Sequence, residues 1–508
     1  MNDKATEEAL REGVSPALPD EGELHLVRAL GPVHLTMVGV GAIIGAGIFV
    51  YTGQVAAANA GPAVLLSFVV AGFGCLFAGL CYAEFASMIP VSGSAYTYAY
   101  ATLGRFMAWF IGWNLVLEYL VASSAVAVGW SGYFTELMHF LHIDFPDALA
   151  NAPLCIAGDP PPCPHIVDTA TGLAGFIHQF GYTGAIVNLP AVALILALTA
   201  ILVIGVRESA NTNAAMVGIK VTVVLLVIAF GAGHIDWNNF KPFIPPNTGT
   251  FGQFGWSGIA MGSAIIFFAY IGFDAVSVAA QEARNPQRDL PIGILASLFI
   301  CTALYIVISV VLLGMAYYPT MMGIPNPVSF AVGKIASLNW LVPIIDVGAS
   351  IGLASTIFVG LYGQSRIFYS MARDGFLPRM FATVHPRFKT PHRGTIITGI
   401  FAAILAAVFP FNLLGQLVSI GTLLAFVVVC FGIMILRVQA PKAKRPFRTP
   451  YVWAVAPLGI LFCGGMAASL PADTLWRLVF WTAIGVAIYL LYGVWHAMPS
   501  KWKVKNES

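Results

Sequence analysis

Apolar positions run along this chain in long stretches broken by short polar intervals. Twelve stretches come close to the about twenty residues a helix needs to cross a bilayer, where lipid offers no partner to a bare backbone group. Their limits are 33 to 59, 63 to 88, 105 to 133, 184 to 205, 211 to 233, 257 to 282, 291 to 317, 343 to 371, 394 to 410, 414 to 437, 453 to 471 and 475 to 497. The pattern predicts an all-α integral membrane protein. Composition agrees: of 508 residues 58% are hydrophobic and 9% charged, against roughly 25% charged in soluble domains. The longest polar interval, 134 to 183, leaves no room for a separate soluble enzyme domain. A net charge of +2 without a basic, aromatic-interleaved face excludes nucleic acid as a partner. No G-x-x-x-x-G-K-[ST] occurs, so nothing points to ATP.

Lys and Arg resist translocation and mark cytoplasmic loops. With the N-terminus inside, only Lys241, Lys334 and Arg477 of 25 basic residues fall outside, and Lys220 lies within a span. An even span count with both termini cytoplasmic follows. The small residues Ala56, Ala57 and Ala58 imitate a signal-cleavage site, but residues 1 to 32 carry seven acids and three bases, unlike a signal's short basic head. Cys75, Cys81, Cys301, Cys430 and Cys463 sit in spans as small packing residues. Cys155 and Cys163 flank GDPPP in the outer loop, on the oxidising side, where a disulfide would close the turn.

Span one carries Gly39, Gly41, Gly45 and Gly47, and span six carries Gly272 beside Asp274. Small residues four apart also serve simple helix packing, as in Gly41-x-x-x-Gly45. Two breakable helices 227 residues apart, with spans two and seven starting 228 apart, suggest instead two copies of a five-span unit. Five is odd, so the copies would be inverted, and glycine-interrupted spans at matching places point to a midplane binding site. The organisation expected is a cytoplasmic segment (1–32), a first five-helix repeat (33–233, with the external loop 134–183), an inverted second repeat (257–437), peripheral helices eleven and twelve (453–497) and a cytoplasmic tail (498–508).

Unwinding a helix leaves N–H and C=O groups without partners. The amides of Ala46, Gly47 and Ile48, at a positive helix end, suit a carboxylate. The carbonyls of Ile43, Phe268 and Ile271 suit an ammonium group, and Gly272 exposes backbone for want of a side chain. A ligand with both groups on neighbouring atoms is an α-amino acid. Phe268 is placed to cover it as an aromatic gate.

At these residues the chain resembles the amino acid, polyamine and organocation (APC) transporter superfamily, and within it the bacterial relatives of the cationic amino acid transporters. The resemblance rests on GAIIGAGIF (41–49), YAEFASMIPVSGSAYTYAY (82–100), FFAYIGFDAVSVAAQEARNPQRDLPIGI (267–294) and SRIFYSMARDGFLP (365–378). It implies the inverted five-helix repeat with helices one and six unwound at midplane, alternating access, and recognition of the amino acid backbone at Ile43, Ala46, Gly47, Ile48, Phe268, Ile271 and Gly272. Twelve spans resemble the bacterial members, whereas animal relatives often have fourteen.

Charges inside the bilayer face a cavity or one another. Lys220 lies about nine residues into span five, roughly 14 Å deep at 1.5 Å per residue. It pairs with Glu118, reaches toward the cytoplasmic interface, or acts as the proton-coupling group, its cation standing where sodium-driven relatives bind sodium between helices one and eight. The resemblance supports the last, since some bacterial members carry such a lysine. Glu118 is a second proton site or a partner holding span three. Asp274 is expected to cap the second half of span six, and Glu84 to brace the inner gate. The substrate pocket is expected near Val121, Phe273 and Ser350, with no acid clearly placed for arginine or lysine, which favours a small or neutral amino acid.

The sequence thus predicts no enzyme and no cofactor. It predicts a secondary transporter importing L-amino acids across a bacterial cytoplasmic membrane by proton symport. An exchanger, a cationic amino acid uniporter and a transporter-like nutrient sensor are the alternatives. Membrane lipid is the other partner, and whether a small accessory membrane subunit or a second copy joins it is left open.

Overall fold

The computed structural model describes residues 30–89, 94–156, 180–204, 210–280, 283–388 and 390–497. Helix α1 spans Pro32–Ile43; after a break the chain continues as π-, α- and π-helical turns Gly47–Tyr51, Thr52–Val55 and Ala56–Ala60. There follow α2 (Val64–Met88), α3 (Arg105–Phe140), α4 (Leu189–Ile204), α5 (Ala210–Gly231) and α6 (Gly255–Ile266). The second half comprises α7 (Pro286–Met315), α8 (Val342–Arg373), α9 (His392–Val408), α10 (Phe411–Gln439), α11 (Val452–Ser469) and α12 (Ala472–His496). Proline begins or immediately precedes α1, α7, α9, α10 and α12. Its fixed φ suits a first turn, and its missing N–H would have no partner there anyway.

Among the described residues nine helices are long and apolar enough to cross a membrane, and α1, α4 and α9 are shorter apolar helices. Helix α7 packs along α2 and α1, α8 along α3, α4 along α9, and α10 along α11. The expected limits are adjusted at the outer loop. Helix α3 runs on to Phe140 rather than stopping at 133, and the chain turns away at His142, whose φ is +59°. Helix α4 begins at Leu189 rather than 184, because Asn188 Oδ1 accepts the Ala191 N–H at 3.2 Å and caps the first turn. Between them lie a helical turn Asp147–Ala150 and an antiparallel pair, β1 (Leu154–Ile156) and β2 (Phe180–Tyr182), with Cys155 opposite Gly181. Cys155 is disulfide-bonded, and Cys163 lies outside the described residues. The five span cysteines are free and buried.

Glu84, near the end of α2, is fully buried. Arg437 of α10 grips it with Nε and Nη2 at 2.9 and 2.8 Å. Arg445 Nε lies 3.0 Å from Oε1, the oxygen Arg437 Nε also reaches, and the Thr449 N–H donates to Oε2 at 2.8 Å. Arg445 also donates to the carbonyls of Ala440 and Ala443 at 2.7 and 2.8 Å, which ties off the end of α10. One carboxylate therefore fastens α2, α10 and the 440–450 connection together. Removing one member of such a buried pair leaves charge uncompensated, at a cost of about 3–5 kcal/mol. Glu84→Ala is expected to lower the melting temperature of the purified protein sharply, and Glu84→Asp to lower it less; equal melting of Glu84→Ala and wild type would remove this role.

Candidate functional site

The last inner hydrogen bond of α1 runs from Ile44 N–H to Val40 O at 2.9 Å, and Ile44 is extended at φ −71°, ψ 101°. The next turn opens with Phe49 N–H to Gly45 O at 3.4 Å. The amides of Ala46, Gly47 and Ile48 thus occupy the first turn of a new helical segment, where N–H groups lack an intrahelical acceptor. Helix α6 tightens into a 3₁₀ turn, Phe267–Tyr270, and ends at Ile271, extended at φ −60°, ψ 136°. A short helix, Ala275–Val278, resumes beyond it.

The two breaks touch. Gly272 has φ +113°, and a Cβ there would lie 2.9 Å from Ala42 Cβ and 3.0 Å from the Ala42 carbonyl. Gly47 abuts Ala269 so closely that a Cβ would overlap the alanine's own. Tyr305 of α7 reaches both interruptions, its O–H lying 2.8 Å from Ile43 O and 2.8 Å from Ala269 O. The Ile43 carbonyl, expected to await an ammonium group, thus shares the single Tyr305 proton with Ala269 O and keeps a lone pair to offer.

Lys220 is fully buried. Its ammonium donates to Gly41 O at 2.7 Å, in the last turn of α1, to Ile44 O at 3.1 Å, at the break itself, and to Thr356 Oγ1 of α8 at 3.2 Å. Its methylene stem lies against Gly352, one turn before Thr356, where a Cβ would come 3.1 Å from Lys220 Cγ. Glu118 goes elsewhere: its carboxyl faces that of Asp274. Asp274 in turn accepts from Tyr119 Oη at 2.5 Å and makes no side-chain bond to the helix it precedes. One alternative and one expectation are thereby ruled out. Lys220 and Glu118 do not pair, because the ammonium is drawn to carbonyls freed at the α1 break. Asp274 does not cap, because it stands in helical conformation at φ −69°, ψ −23°, whereas a capping residue is typically extended.

Phe268 packs with Tyr51 and Phe411 at centroid distances of 5.1 and 6.4 Å, and Tyr51 lies 4.4 Å from Phe411. Tyr51 and Phe411 also line a cavity of about 1020 Å³ that includes β1 residues Leu154 and Ile156. Phe273 instead packs on Phe426 and Tyr82 at 5.0 and 5.9 Å, while the Ser350 carbonyl accepts the Trp130 indole N–H at 3.1 Å. Sequence reasoning missed Tyr305, Thr356, Gly352 and Tyr119. The readable signals were a tyrosine at mid-length of the apolar α7 and a Gly-x-x-x-Thr step in α8.

The family profile described as amino acid permease matches residues 30–491. The chain belongs to that family. It is 43% identical over 476 residues to the branched-chain amino acid permease BcaP of Bacillus subtilis (strain 168), covering 94% of this chain and 95% of the relative. The methylthioribose transporter of the same organism matches with the same identity and coverage. Vacuolar cationic amino acid transporter 2 of Arabidopsis thaliana is 38% identical over 421 residues, which are 82% of this chain and 61% of that protein. The resemblance carried by the four motifs is borne out: this is an APC-superfamily membrane transporter related to the cationic amino acid transporters, and not an enzyme.

Because Gly272 is held by both its φ and its contact with Ala42, Gly272→Ala should destabilise the protein by about 1–3 kcal/mol or more. Gly31, where an added Cβ would meet nothing within 4 Å, is the control and should tolerate alanine. Thermal unfolding of the two variants, followed by size-exclusion fluorescence, compares them; similar melting would show that the α1–α6 contact carries no such constraint.

Proposed function

We propose that the chain imports an L-amino acid across the cytoplasmic membrane of a bacterium by alternating access, coupled to protons. In this reading twelve segments cross the bilayer with both termini inside, and residues 33–233 and 257–437 are inverted repeats. The amides of Ala46, Gly47 and Ile48 meet the substrate carboxylate. Phe268 O, Ile271 O and the spare lone pair of Ile43 O face its ammonium group, with the bare backbone at Gly272 beside them. The relatives named for branched-chain and cationic amino acids support this substrate class.

The observation that carries proton coupling is the ammonium of Lys220 bridging Gly41 O, Ile44 O and Thr356 Oγ1. Hydrogen bonds from an ionised donor are roughly twice as strong as neutral ones. A charged Lys220 therefore clasps the broken end of α1 to α8, and a neutral one clasps it weakly. Substrate bonds to the neighbouring amides of the same break, so proton and amino acid bias one two-state element, which is what coupling requires. Proton loading from outside favours the clasped arrangement, and proton loss to the cytoplasm frees α1 to move.

The test uses the full chain in proteoliposomes with labelled amino acids. An acid-outside pH gradient should drive accumulation without sodium. Lys220→Ala should cut gradient-driven accumulation at least about tenfold, the loss of one charge-assisted bond set. A sodium requirement, or full pH-driven uptake by Lys220→Ala, would sink the coupling proposal. Uptake accelerated by internal amino acid with little response to pH would establish exchange instead, and saturable binding without flux would establish a sensor.

A further inference from the structure

Five residues of α10 share one face at 100° per residue: Phe411, Gly415, Ser419, Thr422 and Phe426 all lie within about 40° of the Gly415 direction. That face is turned toward the broken helices. Tyr51 Oη sits so close to Gly415 that a Cβ there would overlap it. At the other end Phe426 packs on Phe267 and Phe273 at 5.5 and 5.0 Å. Aromatic rings therefore bound the face at both ends, with Ser419 and Thr422 between them.

Both hydroxyls are fully buried and have no hydrogen-bond partner among the described residues, and Tyr51 Oη shares that state. This is unusual within the same molecule. Many Ser and Thr on other helices return their hydroxyls to the carbonyl four residues back: Ser124 to Leu120, Thr199 to Ile195, Ser263 to Ile259 and Thr302 to Leu298, at 2.7–3.0 Å. The other buried Ser and Thr hydroxyls without a partner among the described residues, Ser350 of α8 and Thr398 of α9, each stand singly on their helix, whereas Ser419 and Thr422 share one face. An unmade bond on a buried hydroxyl costs about 1–3 kcal/mol, so two on one face require a reason. A ligand group that completes them supplies it. None of the five residues on the face, nor the rings of Tyr51, Phe267 and Phe273 against it, is charged, so the face itself offers no counter-charge to a cationic or anionic side chain.

Resting on the amino acid reading above, we infer that Ser419 and Thr422 form the subsite for the substrate's side chain and select an uncharged side chain bearing a hydroxyl over its methyl isostere. A site built to bond a hydroxyl rejects the analogue that lacks it, because the protein's own buried groups then stay unpaired.

L-threonine and L-valine are such an isosteric pair. Their affinities for the purified full-length protein, by thermal shift and by competition for uptake, give a ratio that cancels recognition of the shared carboxylate and ammonium groups. The wild type is expected to prefer threonine by about tenfold and to bind L-arginine weakly. Thr422→Val and Ser419→Ala should each lower the threonine-to-valine ratio about fivefold, the worth of one hydrogen bond, and Thr422→Ser should restore it. The inference is overturned if the wild type holds both equally, if the variants leave the ratio unchanged, or if arginine binds as well as threonine. Failure of the wild type to bind any amino acid would instead overturn the transport reading on which it rests.

Discussion

A peptide group in lipid has no water to turn to, and the fold is organised around the two places where this chain interrupts its own helical bonding. At Ile44 and at Ile271 the backbone goes extended inside a packed bundle. Such interruptions persist only when buried in protein or lining a cavity. Here other helices answer part of the deficit. Tyr305 of α7 serves carbonyls of both breaks, and Lys220 of α5 serves two on α1. In the proposed function, the amides at the start of the second segment of helix one are left to the substrate.

This division gives the site its properties. The carbonyls answered by Lys220 depend on a group that can change charge, whereas those answered by Tyr305 depend on a neutral hydroxyl. The first kind of contact is adjustable and the second is fixed. Glycine makes the arrangement possible at two points. Gly272 carries the positive φ that lets α6 turn onto Ala42, and Gly352 leaves the groove along which the Lys220 stem lies flat.

The buried acids fall into two groups by what surrounds them. Glu84 is matched by two guanidinium groups and a backbone N–H, which makes it a fastener. Glu118 and Asp274 instead face each other and the Tyr119 hydroxyl. Similar residues in similar spans thus acquire opposite characters through the neighbours brought to them by packing.

The spans, the glycines at the two interruptions, the lysine inside the fifth stretch and the family were legible in the chain, because apolar length and glycine placement are local properties that lipid enforces residue by residue. Which groups meet was not. A pairing of Lys220 with Glu118 stayed open as an alternative to its place beside the first helix, and Asp274 looked like a cap. Tyr305, Thr356, Gly352 and the bare hydroxyls of Ser419 and Thr422 were invisible as a set, because each stands on a different turn or helix and means nothing until tertiary packing closes the distance. By itself the sequence determined which stretches are apolar helices and where those helices can break. Only the tertiary structure decided which side chains repair each break, since hydrogen bonds reach about 3 Å while the residues that make them lie far apart along the chain.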